Sequence, residues 1–153
     1  MIKNIIIILI FSLSLIIIFL KFFRTSRSPQ FIDLPISRHL FRLELAKTIT
    51  QKAVGLSNRV ALCPNCGMLF VFPGEGILPF WMKDTLIPLD LIWVNQRGIV
   101  VTIETAPVEN KSLTQLTVYK NTLPAGYVIE LNANTAKNIG LQVGDHIAVP
   151  SNL

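Results

Sequence analysis

The stretch from Cys66 to Trp93 constrains the fold more than any other part of the chain. Met68 to Phe72 is a continuous apolar run bounded by Gly67 and Pro73-Gly74, and Leu89 to Val94 is a second run of strand length. Short apolar runs bounded by turn residues read as buried strands. Between them lies Phe80-Trp81-Met82-Lys83-Asp84-Thr85, with Pro79 and Pro88 stiffening the connection on either side. Such a chain has to hold two buried strands around one aromatic-rich loop.

The rest of the sequence offers more strands than helices. Phe41-Arg42-Leu43-Glu44-Leu45 alternates apolar and charged residues, the pattern of a half-buried strand. Thr48 and Gln51 have the spacing of a capping box, and the short helix they open is expected to end at Gly55. Leu89–Val94 and Ile99–Glu104 flank Asn95-Gln96-Arg97-Gly98, a hairpin in which Gly98 suits a positive φ. Alternation places Ile99, Val101 and Ile103 on one face of its second strand. Thr117-Val118-Tyr119 reads equally as a short strand or a loop. Tyr127 to Leu131 is a strand, Asn132 to Ile139 suits a short helix ending at Gly140, and His146 to Val149 is expected to be a final strand. The tally predicts a mainly β fold, a compact β-sandwich or barrel-like domain with short helices.

The N-terminus has a different composition. Ile5 to Leu20 is broken only by Ser12 and Ser14, and Phe22 and Phe23 extend the run past Lys21. Roughly 19 apolar positions span a bilayer core of about 30 Å. No A-x-A-like cleavage site follows, and the first cysteine is Cys63, so no lipobox is present. One transmembrane helix within residues 1–24, with the membrane as partner through Ile5–Phe23, is therefore expected, followed by a tether over 25–37 and the domain over 38–153. The positive charges after the run, read literally, hold the domain in the cytoplasm. A very short tail ahead of a single anchor suits an exported domain, and an extracytoplasmic placement is the expectation. Lys3, Lys21, Arg24 and Arg27 account for the net charge: without them 10 Lys and Arg face 9 Asp and Glu. No basic stripe with interleaved aromatics remains, so no nucleic-acid partner is expected.

The motifs, in their order, resemble the bacterial and archaeal family called domain of unknown function 192. Its Gly-Leu-Met-x-Arg segment corresponds to Gly55-Leu56-Ser57-Asn58-Arg59, which departs at Ser57. Its Gly-Met-Leu-Phe-x-Phe is kept as Gly67 to Phe72. Its Phe-Trp-Met-Lys-Asn-Thr-x-x-Pro-Leu-Asp is Phe80 to Asp90, with Asp84 in place of Asn. The closing elements are Ile129-Glu130-Leu131 and Gly140-Leu141-Gln142-Val143-Gly144-Asp145, with Asn134 where a Gly is expected. The resemblance implies a compact, mostly β domain, often exported or membrane-anchored. It carries over no catalytic residue, and none is assigned.

Three constellations offer chemistry. Cys63-Pro64-Asn65-Cys66 is a possible disulfide that staples a loop, a redox or copper-handling dithiol, or half a zinc site; only His39 and His146 could add ligands, neither at motif spacing. In the loop, Phe80 and Met82 alternate with Trp81 and Lys83, which reads as core plus surface or as a ligand-binding rim. Arg59, Asp84, Asp90, Glu130 and Asp145 form a third set, in which Arg59 is the natural partner of a strand carboxylate and Asp145 a turn residue. Candidate ligand-facing residues are Arg59, Trp81, Met82, Lys83, Asp84 and Asp90; no metal site and no cofactor is called for. The expected function is a membrane-anchored β-rich module that binds a small molecule, glycan or protein at the cell envelope. The alternatives are a hydrolase of an envelope polymer or glycan, and a thiol or copper handler built on Cys63, Cys66, Met68 and Met82.

Overall fold

A computed structural model describes residues 28–153. The anchor expected over Ile5–Phe23 lies outside them, and no helix among the described residues is long and apolar enough to cross a membrane.

Six strands form one mixed sheet: β1 (Phe31–Ile36), β2 (His39–Ala46), β3 (Cys66–Gly76), β4 (Leu89–Val94), β5 (Val100–Ala106) and β6 (Ala125–Asn132). Two short helices, α1 (Ile49–Val54) and α2 (Thr135–Asn138), and a 3-10 turn at Leu113–Gln115 complete it. The strand order is β1-β2-β3-β6-β4-β5. Only β2 and β3 run parallel. A parallel pair needs a crossover, here made by α1 and the Cys63–Cys66 loop.

The mainly β expectation holds, but among the described residues two facing sheets do not form. Instead, one sheet buries both of its faces. Leu43, Leu69, Ile92 and Ile129 pack on one side, joined by Leu34 from β1 and, at the opposite edge, by Val100 of β5 and Ile147 beyond it. A core that gathers both ends of the sheet requires the sheet to curl around it. Met68, Phe70, Leu91, Trp93 and Val128 pack on the other side. The whole of β4 is buried as a result.

Several elements follow from local chemistry. Thr48 and Gln51 form the capping box, and α1 ends at Gly55 with φ +51°. Gly98 turns the β4–β5 hairpin at φ +81°. Four readings change. The helix expected over Asn132–Ile139 shortens to Thr135–Asn138, because Asn132 still pairs with Leu89 as the last residue of β6. Phe31–Ile36, assigned to the tether, is an edge strand paired along its length with β2; an edge tolerates Pro35, and burial of Leu34 and Ile36 holds it down. Val94 pairs with Val100 while Trp93 pairs with Thr102, so Val101 is the extra residue of a bulge. Alternation breaks there: Val101 packs with Trp93, and Ile103 packs on the opposite face. His146–Val149 makes a single bridge, His146 to Ile99, rather than a strand; its anchor is Ile147, whose N–H donates to the Gly98 carbonyl at 2.8 Å.

Gly67 sets the tightest approach in the sheet. A Cβ there would collide with the Glu130 carbonyl and with the side chains of Leu131 and Leu43. Backbone cannot yield as a flexible side chain can. Gly67→Ala is expected to destabilise the domain by about 2–3 kcal/mol or more, read as a lowered midpoint in urea unfolding.

Candidate functional site

The register of the central strands places one row of residues across the second face: Glu44 on β2, Met68 on β3, Glu130 on β6 and Leu91 on β4. Glu130 thus sits in the middle of the sheet, flanked by apolar neighbours. It is buried, and its Oε2 has no hydrogen-bond partner among the described residues. Arg59, the expected counter-ion, is bonded instead to Glu44, with Nη2 2.6 Å from Oε2. Loss of water pushes the Glu130 carboxyl up to about 8, against the pull of the nearby Arg59 charge.

A cavity of about 250 Å³ opens over Glu130. The end of α1 covers part of it, and a Cβ on Gly55 would sit 3.4 Å from Phe70 and 3.9 Å from Glu130 Oε2. Phe70 and Phe72 form one wall; Phe72 lies where β3 leaves register with β6 between Val71 and Gly76. Phe80 and Trp81 form another. Phe80 meets Phe70 edge-on at 4.9 Å and Trp93 at 6.0 Å. Trp81 is half-exposed at the mouth. Lys52 and Lys83 are the cationic lining residues. Lys52 lies 4.3 Å from the centre of the Phe72 ring, and desolvation lowers its pKa.

The loop carrying Phe80 to Thr85 is fastened along its length. Phe80 exchanges both backbone hydrogen bonds with Tyr119, at 2.8 and 2.9 Å. Buried Asn121 accepts from the Leu78 N–H and donates to the carbonyls of Gly76 and Leu123. Trp93 Nε1 donates to the Leu78 carbonyl at 2.9 Å. Ser57 and Thr85 hydroxyls both donate to the Lys83 carbonyl, and the Asn58 N–H donates to that of Asp84. Asp84 has φ +53°, a conformation Asn and Asp reach more easily than other side-chain-bearing residues. The Asn-to-Asp departure thus keeps the backbone requirement of the turn.

The predicted residues separate. Trp81 and Lys83 line the cavity. Met82 is core, packed among Phe70, Leu89 and Trp93. Asp84 is exposed and belongs to an adjoining groove with Leu86 and Leu113. Arg59 stands beside the cavity, held by Glu44. Asp90 lies one register step from Glu130 on the neighbouring strand and so faces the opposite side of the sheet. There it accepts from Thr105 Oγ1 at 2.7 Å, Asn134 N at 3.0 Å and Ala136 N at 2.8 Å, tying β5 and α2 to β4. It is a structural anchor, and Asn134 serves it with φ +67°. Asp145 accepts from the Gln142 N–H, as a turn residue does. Cys63 and Cys66 are bonded to each other. Sequence reasoning missed Glu130, placed only as a strand carboxylate for Arg59 to pair, and Lys52, Phe70 and Phe72 as ligand-facing residues. Nothing in α1 marks Lys52, and the run from Met68 to Phe72 looks like plain core.

The profile of one family matches residues 32–149: domain of unknown function 192, described as an uncharacterized ACR. The chain belongs to this family. No curated protein matches it. Two solved structures of similar fold are a candidate transcription regulator from Sinorhizobium meliloti and a protein of unknown function from Novosphingobium aromaticivorans. The first is 31% identical, covers 81% of this chain and 95% of its own, and has a TM-score of 0.69. The second is 31% identical, covers 82% and 90%, and has a TM-score of 0.72.

Glu130 also makes a stability prediction. A carboxyl whose folded pKa is raised keeps its proton in the native state after the unfolded chain has lost it. Stability is then full below the unfolded value near 4.5 and falls as pH rises towards about 8. Thermal melts from pH 5 to 9 are expected to show this decline in the wild type. Glu130→Gln should flatten it and raise stability at pH 8 by on the order of a few kcal/mol.

Proposed function

We propose that the chain is a membrane-anchored binding module of the cell envelope that takes a small ligand into the Glu130 cavity. The observation that carries this reading is the buried, unpartnered Glu130 carboxyl at the floor of an aromatic-walled pocket. A buried polar group without a partner is costly, and a ligand that completes its hydrogen bonding recovers that cost. The fastened loop keeps Phe80 and Trp81 in place before any ligand arrives, which lowers the entropic penalty of binding. The apolar run Ile5–Phe23 supports a membrane anchor, and a bonded Cys63–Cys66 pair suits an oxidising compartment.

The hydrolase reading has the raised pKa of Glu130 in its favour, because such a group serves as a general acid. Its two-carboxylate form needs a second acid. Glu130 is the single carboxyl lining the cavity among the described residues, with Asp84 in the adjoining groove and Asp90 across the sheet. The copper reading fares worse: Met68 and Met82 are core side chains.

Trp81→Ala tests the binding reading. Ligand-observed NMR on the full chain in nonionic micelles, against a set of acidic, neutral and basic single-ring compounds, should show saturable binding to the wild type. Half-exposed Trp81 contributes little to the core, so the variant should melt within a few degrees of wild type yet lose binding by tenfold or more. Unchanged binding in a folded variant would remove the cavity from the account.

A further inference from the structure

Two ionisable groups with no ion-pair partner among the described residues share this cavity, and together they indicate what enters it. Glu130 is desolvated and its Oε2 is unpartnered. Lys52 lines the same space, rests over the Phe72 ring, and has no carboxylate within ion-pair distance among the described residues. The two do not neutralise each other: the charge that acts on Glu130 is that of Arg59, which Glu44 already holds. Lys83 adds a second ammonium, with Asp84 3.8 Å away as a loose, exposed partner. The lining therefore carries two lysines and one carboxyl.

Resting on the binding reading above, we infer that the cavity takes a small organic carboxylate carried on a single ring. Its ring would lie between Trp81 and the Phe70–Phe72 wall. The ligand carboxylate would accept from the protonated Glu130 carboxyl, and the Lys52 and Lys83 ammonium groups of the same lining would supply the positive charge that favours an anion over its neutral counterpart. Charge-assisted bonds of this kind are the strong ones. A volume of about 250 Å³ lies just below the usual range of ligand pockets and suits one ring rather than a polymer chain. An ammonium ligand fits worse, because it would enter beside Lys52 and Lys83. Aromatic acids and acidic sugars share the required chemistry, and the probes separate them.

The groups that face Glu130 from the surrounding elements set the pH behaviour: Lys52 from α1, Arg59 from the segment after it, Glu44 from β2 through Arg59, and Lys83 from the loop. The sign follows from Glu130, whose carboxyl burial pushes up to about 8. A carboxylate ligand needs the protonated form, and affinity falls as pH rises. An ammonium ligand prefers the ionised form, and affinity rises.

Isothermal titration of the full chain in nonionic micelles provides the test, with benzoate and glucuronate against their neutral counterparts benzamide and glucose, and against benzylammonium. At pH 6.5 at least one acid should bind ten times more tightly than its neutral counterpart, with affinity dropping tenfold or more by pH 9. Lys52→Gln should collapse the acid-to-neutral ratio towards one, and Lys52→Arg should restore most of it. Whether benzoate or glucuronate carries the preference tells a flat ring from a sugar. Equal or tighter binding of the neutral or ammonium probes would overturn the carboxylate inference while leaving a ligand cavity in place. Absence of binding by every probe to a cooperatively melting chain would overturn both.

Discussion

Glu130 owes its situation to the insertion of β6 between β3 and β4. With strands on both sides, a residue in the middle of β6 reaches water only through what stacks on its face. On that face lie Met68 and Leu91, then Gly55 and Phe70 above the carboxyl. Arg59 is near enough to be felt electrostatically, yet its short bond goes to Glu44. The close approach at Gly67 brings β3 against the backbone of Glu130 itself, so the carboxyl is held from below as well as covered from above. Much else in the domain reads as the means of keeping this one group dry, central and facing an opening.

The loop from Phe80 to Thr85 supplies that opening. Its anchors come from separate parts of the chain: Tyr119 and Asn121 from the long connection into β6, Trp93 from β4, and Ser57 and Asn58 from the segment after α1. These bonds tie the loop to the sheet and to the segment after α1 at several points along its length. Asp90, by contrast, works on the other side. Its three hydrogen bonds fasten α2 and β5 and leave it no free acceptor position directed at the cavity.

Where local chemistry decides structure, the sequence was readable. The Thr48–Gln51 box and the hairpin turn at Gly98 each depend on a few adjacent residues, and both are present. Phe31–Ile36 was less readable, because Pro35 and the short apolar content resemble a linker until β2 is available to pair with it. The bulge at Val101 is set by what β4 presents across the ladder, not by anything in β5 alone. Long-range choices were hidden most deeply. Residue types show that Arg59 wants an acid, but only the parallel pairing of β2 and β3 places Glu44 nearer than Glu130. Lys52 enters the site through the turn of α1, and its composition carries no mark of it.

The separation of Asp90 from Glu130 has a general lesson for acids in apolar strands. One register step between neighbouring strands sends two carboxyl groups to opposite faces, where one is fully bonded and the other has an unbonded oxygen. The fully bonded group belongs to the architecture, and the incompletely bonded one marks the cavity. The most direct test is carbon-13 NMR titration of the Glu130 carboxyl in the full chain, labelled at glutamate and assigned with Glu130→Gln. A midpoint near 8 is expected; a midpoint near the ordinary 4.5 would show a solvated or paired carboxylate and contradict the account.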